Sequence, residues 1–139
     1  MALPQFKYCL LCEDLRQESG GLASLLGFYG PAPDVEILLK EIDKPLRQLT
    51  FVVIGSPGEI RGKISLHILD ESNRVVVDSP SVDIDMTSPQ GKTISLVMGI
   101  GNLKFPRPGR YKFLMKLDGH VIYENTFGVG IGKPEDFLR

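Results

Sequence analysis

The chain has 139 residues, 42% of them apolar and 24% charged, with sixteen basic and seventeen acidic side chains and a net charge of −1. That length suits one domain with a single core and no need of a disulfide or metal staple. The balanced charge excludes the long-range field that draws a protein to nucleic acid or an anionic bilayer. The uncharged stretch in mid-chain, 93–103, is far below the roughly 20 apolar residues of a membrane span.

The first predicted element is a strand over residues 6–13. Phe6, Tyr8, Leu10 and Cys12 alternate with Gln5, Lys7 and Glu13, which places the apolar set on one face. Cys9 and Leu11 make the opposite face apolar too. Glu13, Asp14 and Arg16 follow at once and interrupt any export-signal pattern, so the cytoplasm is the expected location. Cys9 and Cys12 form a C-x-x-C, but no second cysteine pair exists and His67 and His120 are remote, so no metal or other cofactor is expected. On a strand the two thiols point to opposite faces and do not bridge. They are expected to be buried or half-buried.

After the Ser19-Gly20-Gly21 turn, residues 22–29 are apolar on both sides: Leu22, Leu26 and Phe28 on one, Ala23, Leu25 and Tyr29 on the other. Residues 51–54 repeat that pattern. Such strands ask for cover on both faces. One cover is the 31–45 connection, roofing a central strand. The other is a protein interface, with a homodimer as the simplest form and Leu11, Leu25, Tyr29 and Val52 as its residues. Residues 34–44 read two ways. Val35, Leu38, Leu39 and Ile42 keep helical spacing behind a capping Asp34, whereas Val35-Glu36-Ile37 alternates and Pro45 ends the segment. A short strand followed by an irregular turn is favoured.

Further along, turn clusters at Ser56-Pro57-Gly58, 70–73, 88–91 and 106–109 separate five alternating runs. The runs are Ile64/Leu66/Ile68, Val82/Ile84/Met86, Ile94/Leu96/Met98/Ile100, Tyr111/Phe113/Met115/Leu117 and Val121/Tyr123/Phe127. Asp118-Gly119 between the last two predicts a type I′ hairpin. The sum is an all-β chain, an antiparallel β-sandwich of immunoglobulin-like type with about 8–10 strands and one irregular connection. One domain is expected over 1–132. A tail over 133–139 either adds a turn of helix or stays loose.

Chemistry is sparse. Glu13 and Asp14 are adjacent and face opposite ways. Asp83 and Asp85 share a face, but calcium needs about six oxygen ligands, and outward charges that deter edge pairing account for them better. Ser56 lacks the spacing of a nucleophile elbow. His67 and His120 read as surface histidines. A hydrolase would require one of them in a concave pocket beside a carboxylate and a nucleophile. Gly128-Val129-Gly130-Ile131-Gly132-Lys133 is no phosphate loop, because Phe127 stands where the first glycine belongs and Pro134 follows the lysine. Lys104, Arg107, Arg110, Lys112 and Lys116 form a basic run without an acid. Of these, Arg110, Lys112 and Lys116 point away from the core face and could hold an anion. No aromatic is interleaved to stack nucleic-acid bases.

Leu11-Cys12-Glu13-Asp14-Leu15-Arg16, then Ser24-Leu25-Leu26-Gly27-Phe28-Tyr29-Gly30, resembles the opening of a family of small uncharacterised bacterial proteins. Leu103-Lys104-Phe105, Pro108-Gly109-Arg110-Tyr111 and Asp118-Gly119 fit the same family's final hairpin. The Pro-Gly-x-Tyr run is also widespread among immunoglobulin-like sandwiches, where the tyrosine seals a strand corner. The resemblance implies that fold and a bacterial cytoplasmic setting, and carries no site. The chain departs from the pattern in its longer, charged 36–45 connection. The favoured expectation is a non-enzymatic module that binds a protein partner or itself, with Glu13, Asp14 and Arg16 as polar contacts on its rim. The alternative is a carbohydrate- or anion-binding module using Arg110, Lys112 and Lys116, and a small hydrolase comes third. No nucleic-acid or membrane partner is expected.

Overall fold

The computed structural model describes residues 2–42, 44–89 and 91–133. Ten strands form two packed sheets: β1 (Phe6–Gln17), β2 (Ala23–Pro31), β3 (Glu36–Leu39), β4 (Leu46–Gly55), β5 (Glu59–Leu69), β6 (Val75–Asp78), β7 (Val82–Thr87), β8 (Ile94–Leu103), β9 (Gly109–Leu117) and β10 (His120–Ile131). A single 3-10 turn at Ser19–Gly21 joins β1 to β2. The smaller sheet runs β2-β1-β4-β8. The larger runs β3-β10-β9-β5-β6, with β7 on the same edge of β5 as β6 but farther toward its start. The all-β sandwich read from the alternation is what forms. The expected tail from 133 onward falls, over 134–139, outside the described residues.

The sandwich is not wholly antiparallel. β3 pairs with β10 in parallel, Ile37 beside Val129 and Leu39 beside Ile131. The 31–45 connection therefore crosses from one sheet to the other and adds an edge strand there. Its alternation places Val35, Ile37 and Leu39 in the core with Glu36 and Leu38 exposed, as the strand reading requires. From the larger sheet β3 lies against β2, so the connection covers the inner side of β2 and leaves its outer side open, and β2 is an edge strand instead of a central one.

Aromatic rings form the seam between the layers. Phe51 of β4 stacks on Phe113 of β9 with centroids 4.3 Å apart, and Phe127 of β10 meets Phe51 edge-on at 5.8 Å. Leu49, Val53, Ile60, Ile68 and Met115 fill in around them, all fully buried. Phe105 packs on Tyr111, whose hydroxyl donates to the Arg107 carbonyl at 2.5 Å. That bond is the sealed corner expected from Pro108-Gly109-Arg110-Tyr111. Burial pushes the Tyr111 hydroxyl above its ordinary pKa.

The hairpin at Asp118-Gly119 forms as read, with φ of +49° and +83° at the two positions. The Asp118 carboxylate then reaches back to accept from the Lys63 N–H at 2.9 Å. It passes Gly62 so closely that a Cβ there would lie 2.6 Å from a carboxylate oxygen, at a φ of +141°. Glycine is the residue that fits.

Candidate functional site

The strand register decides which side chains share a face. In the smaller sheet, Leu10 pairs Val52 and Val52 pairs Val97, while Tyr8 pairs Ile54 and Cys12 pairs both Thr50 and Phe28. All of these lie on the outward side. The core set of β1 is Cys9 and Leu11, not Tyr8 and Leu10. Period-two alternation identified both sets correctly but could not say which one faces in.

The outward face is apolar and uncharged across its middle. Tyr8 is 63% exposed, Phe28 54% and Val97 48%. Leu10 and Ile54 are half-buried, and Val52, Cys12 and Thr50 are shielded by these neighbours. Exposed Lys7 sits at the β1 bulge beside Tyr8, and more charge gathers at the other end. Asp14, opposite Leu26, accepts from Gln48 at 3.2 Å and from the Leu15 N–H, and Arg16 is exposed beyond it. Of the predicted polar contacts, Asp14 and Arg16 therefore stand on the rim of this face. Glu13 points the other way and pairs with Arg47 at 2.5 Å. Of the predicted interface residues, Val52 lies centrally on the face. Leu11 points into the core, Leu25 is on the edge strand, and Tyr29 is half-buried at a bulge where β2 slips register against β1. Burial, then Glu13 and Cys12, raise the Tyr29 pKa.

Both thiols are free and buried. Burial pushes the Cys9 thiol up to about 12, and burial followed by the Asp14 charge raises Cys12. Neither is a thiolate nucleophile near neutrality, as expected of structural cysteines.

The basic run does not form one stripe. Lys104 and Arg107 line a cleft of about 420 Å³ with Arg74, where the Asp70 carboxylate takes Arg107 at 3.1 Å and Arg74 at 3.5 Å. The Arg74 backbone N–H above all, then Arg107 and the Ser72 N–H, hold the Asp70 carboxyl below its ordinary range. Arg110 instead donates to the Pro33 carbonyl and to Thr126, tying the 31–45 connection to β10. Lys112 and Lys116 are half-buried on the outer face of the larger sheet.

On that same outer face the structure assembles a trio that sequence reading did not. Ser65 Oγ lies 2.9 Å from His67 Nε2, and His67 Nδ1 lies 2.5 Å from Asp78 Oδ1. Ser65 and His67 are two apart on β5, and β6 brings Asp78 opposite His67. The connectivity is that of a nucleophile, a base and its orienting carboxylate. The setting is different. Ser65 lines a cleft between β7 and β8, but His67 and Asp78 do not, and the Asp78 side chain is largely in solvent. Serine-x-histidine on one strand face was visible in the sequence. The carboxylate was not, because it arrives through the pairing of a different strand.

A cleft of about 640 Å³ opens between β7 and β8 along one side of the sandwich. Ile64 and Leu66 line it from β5, Val82, Ile84 and Met86 from β7, and Leu96 and Met98 from β8. Asp83 is its only charged lining residue. Among the described residues no group of three or more metal-binding side chains gathers, and no helix is long and apolar enough to cross a membrane.

Residues 47–130, from β4 into β10, match the model of a family of unknown function, DUF6941. No curated protein matches the chain. Among solved structures it is similar to "Crystal structure of putative beta-galactosidase from Bacteroides fragilis", at 20% identity and a TM-score of 0.34. The likeness covers 84% of this chain and 21% of that one, so the chain spans about a fifth of that protein's length.

Proposed function

The chain belongs to the DUF6941 family of unknown function, and we propose that it is an interaction module that associates with its own copy through the outer face of the smaller sheet. One observation carries this reading. Between Tyr8 and Cys12 on β1, and across the paired positions of β4, β8 and β2, no outward side chain is charged, yet Tyr8, Phe28 and Val97 are each about half exposed or more. An antiparallel sheet with one wet face normally alternates apolar inward with polar outward, and a contiguous apolar face of this kind marks an interaction site.

A second copy fits this face by charge and by size. An uncharged patch meets itself across a two-fold axis with no like-charge repulsion, as an isologous interface requires. Four strands about 4.8 Å apart and about ten residues long, at about 3.3 Å each, present about 600 Å² in projection. Stable interfaces bury about 800 Å² per partner. Asp14 and Arg16 lie where a polar rim would form. The bacterial cytoplasmic setting belongs to the same proposal, supported by two cysteines left as free thiols.

Light scattering during size exclusion tests it. The expected result is a dimer that Phe28→Glu and Tyr8→Lys each convert to monomer while circular dichroism stays unchanged. A monomer at all accessible concentrations, or variants that dimerise as well as the parent, would overturn the reading.

A further inference from the structure

The two sheets end together on one side of the sandwich and unevenly on the other. On the even side β1 lies against β10 and β2 against β3. On the other, the smaller sheet stops at β8, whereas the larger continues past β5 to β7. The 640 Å³ cleft is the space this difference leaves. Val82 and Met86 share the inward face of β7 with Ile84, in register with buried Ile64 and Ile60. Even so, Val82 is 62% and Met86 38% exposed, because no strand lies opposite them.

We infer that the cleft receives a fifth strand for the smaller sheet: an extended peptide segment from another polypeptide, pairing with the free edge of β8. The backbone argues for a peptide. Among the described residues β8 pairs with β4 alone, so its second edge offers a row of N–H and C=O groups with no described strand to meet them. Ile94–Leu103 contains no charge and no proline, the residues that normally guard an open edge. β7 is guarded by Asp83 and Asp85.

The walls argue for alternation. A strand beside β8 would turn every second side chain onto Val82, Ile84 and Met86, and β-strand addition with alternate side chains in pockets is an established recognition mode. The lining spans Ser95 to Gly99 on β8, about 17 Å of extended chain, which admits two or three apolar side chains. Asp83, the one charged residue lining the cleft, faces outward and is paired with Lys63 at 3.0 Å, so the segment's inward side chains are apolar and uncharged. The overhang also disfavours a second folded copy here. Were its β8 to enter the cleft, its own overhanging β7 would have to occupy the space already held by β5.

The test uses the full chain and a nine-residue synthetic peptide of alternating valine and threonine with a lysine at each end. Binding is expected to slow hydrogen exchange of β8 backbone amides on the free edge. Methylating alternate peptide nitrogens on the pairing edge is expected to weaken binding about tenfold or more, as is Val82→Asp or Met86→Asp; both residues are exposed, so the fold is retained. Phe28→Glu is expected to leave binding unchanged, which separates this inference from self-association through the outer face.

No binding at millimolar peptide, equal binding by the methylated peptide, or β8 amides that remain unprotected when peptide is bound would each overturn strand addition. Protection of β8 that rises with protein concentration in the absence of peptide would give the cleft to a second copy and overturn the inference.

Discussion

On the outer face of the larger sheet several charged side chains have partners across the strands. Arg61 pairs with Asp85, Lys63 with Asp83 at 3.0 Å and His67 with Asp78, and Arg110 is anchored by Thr126 and the Pro33 carbonyl. The outer face of the smaller sheet presents Tyr8, Phe28 and Val97 with no charge among them. Exposed ion pairs add little stability one by one, but they keep a face wet and make mispairing unfavourable. Both sheets bury their inner faces in the shared core, so the difference is confined to the outer faces. It points to the smaller sheet as the layer that meets something other than water.

The largest expected effect tests the part the two sheets share. Phe51→Ala removes the ring stacked on Phe113 and is expected to cost about 3–5 kcal/mol in urea denaturation. A loss below about 1 kcal/mol would show that the layers are not held by this seam. Next comes the contrast itself. Phe28→Glu combined with Val97→Glu is expected to raise the dimer dissociation constant about 100-fold, close to 3 kcal/mol. Asp85→Lys on the opposite layer is expected to leave it unchanged, and an equal effect of the two would erase the distinction between the faces.

A third expectation concerns the inward side of the smaller sheet. The Cys9 thiol is raised from 9.0 to about 12 by burial. The folded state therefore holds its proton more tightly than the unfolded state. The associated stability is fully present below about pH 9 and is lost progressively as pH rises toward 12. Cys9→Ala should lack that share in stability measured against pH, and an unchanged slope would mean the thiol is not enclosed. The smallest effect is on the larger sheet. Lys63→Met breaks the exposed pair with Asp83 and is expected to change stability by under about 0.5 kcal/mol, read from the denaturation midpoint.

Strands were legible wherever one face alone is apolar. Ile64, Leu66 and Ile68 with Lys63 and His67 between them leave one way to fold, and β5 forms with those three residues inside. On β1 both faces are apolar, so alternation named the two sets without orienting them. It took β4 and its paired phenylalanine seam to draw Cys9 and Leu11 inward. The candidate surface was half legible. A demand for cover on both sides of 22–29 and 51–54 was visible. That the 31–45 connection would pair with β10, covering β2 from the opposite layer and leaving it an edge strand, was not, because a parallel pairing between residues about 90 apart leaves no local mark.

The amino-acid order by itself determined the extended backbone, the hairpin at Asp118-Gly119, the tyrosine-sealed corner and the unbridged thiols. Each follows from interactions among residues close in the chain. Only the tertiary structure decided which apolar face is enclosed, that Asp78 would meet His67, and that β7 would overhang β8 across an open cleft. Those outcomes depend on which strand lies beside which, and period-two patterning is identical for every neighbour a strand could take.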